Sequence, residues 1–229
     1  MSDAVFDQRL REHLRSWVGE WPPPRSGVHV VGDETRRAPT WDGSVRPLRG
    51  VGDGSGTVIA VPPDAVASVE AALEGGMERA GLGDELGAIL GVGPASFGAG
   101  VFRTTSKVDP EIVEVGRWFA HHEDGLPEWL APFNGPRLVA FDDDGAPIAG
   151  VGIKVHDAIG RELAVVTEHA AQGRGLARRL VATAARRVLA NGGVPTYLHA
   201  RPNVASARVA EAVGFSDEGW TVHGLWPRS

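Results

Sequence analysis

The sequence contains no cysteine among its 229 residues. This absence excludes disulfide bonds, metal sites built on thiolates and a cysteine nucleophile, and it fits a reducing compartment. No apolar run approaches the length that spans a membrane, and the first residues carry charges instead of the apolar core of a signal peptide. We therefore expect a cytoplasmic protein that does not enter a membrane.

An excess of positive charge is also missing, because the formal net charge is −6. A protein that binds nucleic acid usually presents a basic face to the phosphate backbone. We therefore expect no nucleic acid among its partners. The length allows one large domain or two small ones.

A strand, a glycine turn and a long helix follow one another between residues 163 and 193. From Leu176 onward the apolar residues recur at spacings of three and four, which predicts an amphipathic helix. The turn Gln172–Gly175 precedes it, and the first N–H groups of a helix have no partner inside the helix. Such a turn is suited to bind phosphate, with Arg174 and Arg178 adding charge. An ordinary turn with surface arginines is the alternative.

The rest of the chain shows alternating patterns of strands and helices, which predict a mixed α/β fold of the α+β class. We predict helices over residues 4–18, 65–73, 111–120 and 203–213, and strands over 28–31, 57–61, 101–104, 137–141, 147–155, 162–167, 195–199 and 220–222. A short helix is expected in the eighties, and the glycine-rich stretch before Gly56 is interpreted as a loop. We place a domain boundary near residue 95, which separates residues 1–95, of unknown role, from residues 96–229.

Two further segments suggest sites. The histidines and acids of His121–Asp124 invite a metal hypothesis, but their spacing does not place the ligands on one face of a helix, so we expect no metal. The aromatic residues Trp118 and Trp129 are interpreted first as core. The alternative is that they form the wall of a small-molecule pocket.

The glycine turn and the last helix together resemble the GNAT superfamily of acyl-CoA-dependent N-acetyltransferases. The phosphate signature of that superfamily is Gln or Arg, two residues, Gly, one residue, then Gly or Ala, and Gln172–Ala177 fits it. Residues 203–215 are similar to the superfamily's helix that begins near an asparagine and ends in Gly-Phe. The resemblance covers roughly residues 100–229 and implies a mostly antiparallel sheet flanked by helices. Residues 1–95 contain no such signature loop, and a degenerate half of the same fold is one interpretation.

The resemblance implies acetyl-CoA as co-substrate and no metal. The amides of residues 173–177 would hold the pyrophosphate, the main chain of Val165 and Thr167 would pair with the pantetheine arm, and Asn203 and Ser206 would lie near the thioester. The implied cofactor-binding residues are Val165, Val166, Thr167, Gln172, Gly173, Arg174, Gly175, Leu176, Ala177, Arg178, Asn203 and Ser206.

The implied chemistry is direct attack of a neutral amine on the acetyl thioester, for which a base or a water chain must remove a proton. Glu162 is the first candidate base, on the assumption of a one-residue shift from Arg161, and His199 is the second. Further candidates are His156, Asp157 and Glu168. Many relatives carry a tyrosine as proton donor where this sequence has Ala210, so the general acid is unassigned.

Two functions follow from the resemblance. The first is an N-acetyltransferase that moves an acetyl group from acetyl-CoA to a primary amine, with Trp118 and Trp129 as a guess for the acceptor pocket. The second is a non-catalytic acyl-CoA-binding or regulatory module, which the missing tyrosine favours. The acceptor stays open among peptide N-termini, lysine side chains, polyamines and aminoglycoside-like amines. The length of the acyl group and the formation of a homodimer stay open too.

Overall fold

A computed structural model describes residues 1–121, 123 and 126–228 of the chain. The fold is mixed α/β, as predicted, with mostly antiparallel strands flanked by helices. The contacts divide the chain into a first unit, residues 1–13 and 103–217, and a second unit, residues 14–102 and 218–229. The boundary that the sequence suggests near residue 95 stays a prediction. Among the described residues, every helix is too short or too polar to cross a lipid bilayer.

Five helices and ten strands of the described chain carry the fold. The helices are α1 (Asp3–Val18), α2 (Val66–Leu73), α3 (Leu82–Ile89), α4 (Leu176–Ala190) and α5 (Val204–Val213). The strands are β1 (Val28–Gly32), β2 (Arg49–Gly52), β3 (Thr57–Val61), β4 (Ala95–Thr104), β5 (Arg117–Phe119), β6 (Arg137–Phe141), β7 (Pro147–Val155), β8 (Gly160–Thr167), β9 (Val194–Ala200) and β10 (Thr221–Pro227).

In the first unit the strands lie in the order β9-β8-β7-β6-β5. All neighbouring pairs are antiparallel except β8 and β9, which are parallel. The apolar stripe of α4, which includes Leu180 and Val181, packs in one core with strand residues such as Val151 and Leu163. The predicted amphipathic helix and the predicted hairpin of β6 and β7 are therefore confirmed.

In the second unit the strands lie in the order β1-β3-β2-β10-β4. The pair of β1 and β3 is parallel, while β2 pairs antiparallel with β3 and with β10. Helices α2 and α3 supply Val69 and Leu86 to a core that also contains Ile59 and Leu225. The predicted helix over 65–73 and the short helix in the eighties are confirmed.

The predicted helix over residues 111–120 is wrong, because this segment runs through turns into β5. Gly116 has φ +91°, which is not a helical value, and a Cβ at this position would lie 3.0 Å from the side chains of Leu138 and Leu180. The backbone groups that a helix would satisfy internally bond to α4 instead. Arg186 donates to the carbonyl of Ile112, and the N–H of Val115 donates to the hydroxyl of Thr183.

The interpretation of the stretch before Gly56 as a loop is also wrong in part, because it contains β2. Glycine has a low strand propensity, and the alternating glycines hide this strand in the sequence. The strand forms because it lies between β3 and β10. A Cβ at Gly50 would lie 3.0 Å from Ile59 and 3.1 Å from His223, so a side chain here would press on both neighbours.

Gly152 on β7 allows a test of the close packing between a strand glycine and a buried aromatic ring. A Cβ at this position would lie 2.2 Å from the ring of Phe133, which is buried. We expect Gly152→Ala to lower the free energy of unfolding by about 1–3 kcal/mol, the usual cost of overpacking. Thermal unfolding measures the effect. The matched control is Gly98→Ala, another strand glycine, whose Cβ would meet Trp226 at an ordinary 3.5 Å; an equal loss in both variants would contradict the packing argument.

Candidate functional site

A cavity of about 600 Å³ opens between β8, the glycine turn, α4, β9 and α5, all within the first unit. Its walls are largely apolar, with two arginines and several hydroxyl and amide groups. The lining residues are Val165, Thr167, Ala171, Gln172, Gly173, Gly175, Leu176, Ala177, Arg178, Tyr197, Asn203, Ala205, Ser206, Arg208 and Val209. Within this described lining no side chain is acidic, so the cavity suits an anionic ligand with an apolar part.

Most of the residues that the resemblance implies for cofactor binding are brought together here. The exceptions are Val166, which is 38% exposed on β8, and Arg174, which is exposed in the turn, since neither belongs to the described lining. The shared lining residues are Val165, Thr167, Gln172, Gly173, Gly175, Leu176, Ala177, Arg178, Asn203 and Ser206. Their role in binding stays a prediction.

The N-terminus of α4 forms one end of the cavity. Gly175 is its N-cap, with φ +73°, and supplies no side-chain hydrogen bond to the first turn. The first turn contains no acidic residue and carries Arg178 instead. A cation here is unfavourable to the helix dipole, and an anion bound nearby would offset this effect. A Cβ at Gly173 or Gly175 would meet no atom within 4 Å, which leaves the space in front of the amides open.

The edge of β8 forms the second wall. The strand pairs with β7 along Arg161–Thr167, but among the described residues it pairs with β9 over Gly160–Glu162 alone. Beyond Glu162 this edge of β8 therefore has no paired strand in the described part of the chain, and an extended ligand could bond to it; the carbonyl of Thr167 accepts a hydrogen bond from Nε2 of Gln172 at 3.4 Å. The hydroxyl of Thr167 is buried at this wall and has no hydrogen-bond partner in the described part of the chain, which marks a place for a polar ligand group.

The start of α5 forms the third wall. The sequence predicts Asn203 as the cap of this helix, and its Oδ1 accepts a hydrogen bond from the N–H of Ser206 at 3.0 Å. The hydroxyl of Ser206 lies 3.0 Å from the hydroxyl of Tyr197 on β9. No motif of the sequence points to Tyr197 as a site residue; the one signal is that it is the single tyrosine of the chain.

Glu162 lies in a buried cluster of charges at the end of the paired part of β8. Its carboxylate binds Lys154 and accepts a hydrogen bond from His156 Nε2 at 2.9 Å. Burial raises the pKa of Glu162, but the hydrogen bonds and charges of His156 and Lys154 outweigh it and hold the pKa at about 2. Glu162 is not part of the described cavity lining.

A second buried pair lies beside this cluster. Asp157 contacts His13 of α1, with 2.6 Å between Oδ2 and Nδ1, and the rings of His13 and His156 stack at 6.3 Å. Burial raises the pKa of Asp157, but the hydrogen bond and charge of His13 and two backbone N–H groups lower it to about 2. Asp157, His156 and Glu168, the further candidates for a base, also lie outside the described lining.

His199 is buried on β9 and makes two hydrogen bonds. Its Nδ1 lies 3.0 Å from the carbonyl of Ala200, and its Nε2 accepts from Nε of Arg103 at 3.1 Å. Because Arg103 can only donate, Nδ1 carries the proton of the neutral ring and the Nε2 lone pair is in use. Protonation of Nε2 would break the hydrogen bond that this atom accepts from Arg103.

The two tryptophans and the segment of the metal hypothesis lie outside the described cavity lining. Trp118 lies under the guanidinium of Arg187 at 4.2 Å, Trp129 approaches Gly150, and neither belongs to the described lining. Two members of the histidine and acid segment, His122 and Asp124, lie outside the described residues. Among the residues that are described, no group of three potential ligands is placed to hold a metal ion.

A comparison with solved structures finds the same fold in the first of three similar chains. An acetyltransferase from the GNAT family of Colwellia psychrerythraea is 13% identical, with a TM-score of 0.50, over 99% of this chain and 97% of that one. A GCN5-related N-acetyltransferase-like protein from Streptococcus suis 89/1591 is 15% identical, with a TM-score of 0.44, over 73% and 71%. A structure assigned to the GNAT family from Novosphingobium aromaticivorans DSM 12444 is 22% identical, with a TM-score of 0.46, over 58% of this chain and 66% of its own length, just under two thirds. A search of curated proteins finds no match.

The family model adds the decisive comparison for the part of the chain that contains the cavity. Residues 108–215 match the model of the acetyltransferase (GNAT) family. The match includes the glycine turn, α4, β9 and α5, whose geometry is described above. The C-terminal part of this chain, residues 108–215, therefore belongs to the GNAT acetyltransferase family.

Proposed function

We propose that this protein transfers an acetyl group from acetyl-CoA to a primary amine. The observation that carries the proposal is the cavity between the free edge of β8 and the N-terminus of α4. One end of this cavity suits a pyrophosphate and the adjoining wall suits an extended amide chain, and acetyl-CoA contains both in that order.

The pyrophosphate would bind at the N-terminus of α4. The amides of residues 173–177 would donate to its oxygens, because the first N–H groups of a helix have no partner inside it. Arg178 and Arg208 supply formal charge within the lining. Arg178 also lies 3.8 Å from Asp109, but both side chains are about half exposed, so this surface pair competes weakly with a bound phosphate.

The pantetheine arm would lie along the free edge of β8. Its amides would pair with the main chain of Val165 and Thr167 in the way that a peptide adds to a sheet edge. The buried hydroxyl of Thr167 is available to the same arm. This placement directs the thioester toward Tyr197, Asn203 and Ser206, which lie at the start of α5 and on the adjoining strand.

The amine would attack the thioester carbon directly, and an ammonium group must lose a proton first. Glu162 and His199 stay candidates for this role. Neither belongs to the described lining, so each would act through a chain of water molecules. The low pKa of Glu162 makes it a weak base at neutral pH, while His199 would have to release Arg103.

We expect acetyl-CoA to raise the melting temperature of the protein. A ligand present at 100 times its Kd contributes about 2.7 kcal/mol of stability, which shifts the melting temperature by several degrees in a protein of this size. Thermal unfolding and calorimetry measure the binding. Acetyl-pantetheine, which lacks the pyrophosphate, is the matched control and is expected to bind far more weakly. No shift and no heat with saturating acetyl-CoA would overturn the proposal.

Release of CoA thiol separates an enzyme from a non-catalytic acyl-CoA-binding module. The assay mixes the protein with acetyl-CoA and a panel of peptide, lysine, polyamine and aminoglycoside amines and detects free thiol. Because the chain contains no cysteine, the protein adds no thiol signal of its own. Turnover on any amine supports the enzyme, while binding without turnover on the whole panel favours the module.

A further inference from the structure

Tyr197 is the only tyrosine of the chain, and it lines the cavity. Its hydroxyl lies 3.0 Å from that of Ser206, so two hydroxyl groups meet at the start of α5. In many relatives the tyrosine stands on this helix, at the place that Ala210 occupies here. The phenol of this chain enters the same region from β9 instead.

The surroundings of Tyr197 hold its ring in one position. The side chain is 2% exposed and packs against Phe215, with ring centroids 5.7 Å apart, and against the edge of His199 at 6.4 Å. Ala210 and Tyr197 belong to the same buried core. The ring of Tyr197 therefore enters from β9 a core to which Ala210 of α5 also contributes.

The hydrogen bonds around Ser206 allow the phenol to donate into the cavity. The N–H of Ser206 is taken by Asn203, but its hydroxyl can donate to the phenol oxygen. The phenol proton can then point toward a ligand. Burial raises the pKa of Tyr197, against the opposing effects of Ser206 and Arg103, so the group keeps its proton at neutral pH.

We propose that Tyr197 donates the proton that the CoA sulfur takes up when the thioester breaks, a role that rests on the proposed function. The amine nitrogen forms a bond to the carbonyl carbon, the carbon–sulfur bond breaks, and its electron pair stays on sulfur. The Tyr197 hydroxyl gives its proton to that sulfur, which leaves as the free thiol. The phenolate regains a proton through the hydroxyl of Ser206, which is partly exposed to solvent, while the excess proton of the amine leaves to water.

Tyr197→Phe tests the proposal, because it keeps the ring and removes only the hydroxyl. With the amine of the panel that releases CoA fastest, we expect kcat to fall about 100-fold, the lower end of what proton donation contributes. The KM for acetyl-CoA is expected to change less than about threefold, because the variant keeps the phosphate and pantetheine contacts. The matched control is Thr196→Val, which removes a neighbouring buried hydroxyl of β9 that lies outside the described lining.

A second measurement needs no amine and reports on the sulfur itself. In the complex with CoA, the rate at which iodoacetamide alkylates the bound thiol is followed against pH, and the protein has no cysteine to react. A hydrogen bond donated to the thiolate lowers the pKa of the thiol, so Tyr197→Phe is expected to raise it by about one unit. A purely structural role would not move this pKa.

The outcomes separate the two proposals. If the wild type binds CoA but Tyr197→Phe changes neither the thiol pKa nor the turnover, beyond what Thr196→Val does, the role of Tyr197 is overturned and the proposed function stands. If no amine turns over, the pKa of the bound thiol alone decides the role of Tyr197. If the wild type does not bind CoA, the proposed function fails, and this inference fails with it.

Discussion

Gly175→Glu is expected to lower the affinity for acetyl-CoA by at least about 100-fold, since a like charge placed against a bound group costs several kcal/mol. Gly175 is the N-cap of α4 and lines the cavity. The new carboxylate would stand where the pyrophosphate is proposed to bind. Because a Cβ at Gly175 meets no atom within 4 Å, the fold is expected to persist. Calorimetry with acetyl-CoA measures the loss.

Two variants control for the backbone and for the added charge. Gly175→Ala forces a side chain onto the same positive φ without charge and is expected to cost about 1–2 kcal/mol of stability with a smaller loss of affinity. Gly145→Glu adds a carboxylate at φ +83°, also with no atom within 4 Å, but in the turn between β6 and β7. It is expected to leave binding unchanged. Unchanged affinity in Gly175→Glu would place the cofactor elsewhere.

Glu162→Gln is expected to destabilise the protein by about 3–5 kcal/mol at pH 7, the usual result of breaking a buried ion pair from one side. The side chain of Glu162 is 7% exposed, and its partners Lys154 and His156 are also largely buried. The amide keeps the shape of the carboxylate but removes the negative charge that faces Lys154 and His156. Urea unfolding at a series of pH values measures the effect.

The same experiment tests the pKa of Glu162. Its folded value of about 2 lies below the ordinary 4.5, so its contribution to stability is fully present above pH 4.5 and is lost as the pH falls toward 2. Asp157, lowered from 3.8 to about 2, acts in the same direction. The free energy of unfolding of the wild type therefore falls as the pH falls toward 2. For Glu162→Gln we expect a smaller fall, so that the two free energies approach each other in acid.

The control for Glu162→Gln is Glu114→Ala, which breaks an exposed ion pair. Glu114 lies 3.7 Å from Arg186 and is 66% exposed, so its loss is expected to cost less than about 1 kcal/mol. A cost for Glu162→Gln as small as this, with an unchanged acid dependence, would show that the buried cluster contributes little to stability.

The parts of the fold that the sequence predicts are those with local signals. Helix α4 repeats apolar residues at three and four and stops before a glycine with φ +73° at position 192. Helix α5 begins after Asn203, which caps it, and ends at Gly214 with φ +107°. The hairpin of β6 and β7 turns at the Asp-Gly pair. Each of these signals acts within a few residues, so one sequence is sufficient to reveal it.

The parts that it does not predict depend on residues far away in the chain. The segment 111–120 has helical periodicity, but its backbone bonds to Thr183 and Arg186 of α4, which it meets only in the folded unit. β2 is a strand because β3 and β10 lie beside it. Tyr197 becomes a site residue because β9 brings its hydroxyl to Ser206, and no spacing in the sequence records that contact.

The parallel pairing of β8 and β9 is short, so the sheet opens between these two strands, and the cavity lies at this opening. The two strands run together from Gly160 to Glu162 and separate beyond it. Glu162 is the last paired residue, and Lys154 lies opposite it on β7. The charge cluster, which lies outside the described cavity lining, therefore holds β7 and β8 together at the point where β9 separates from β8.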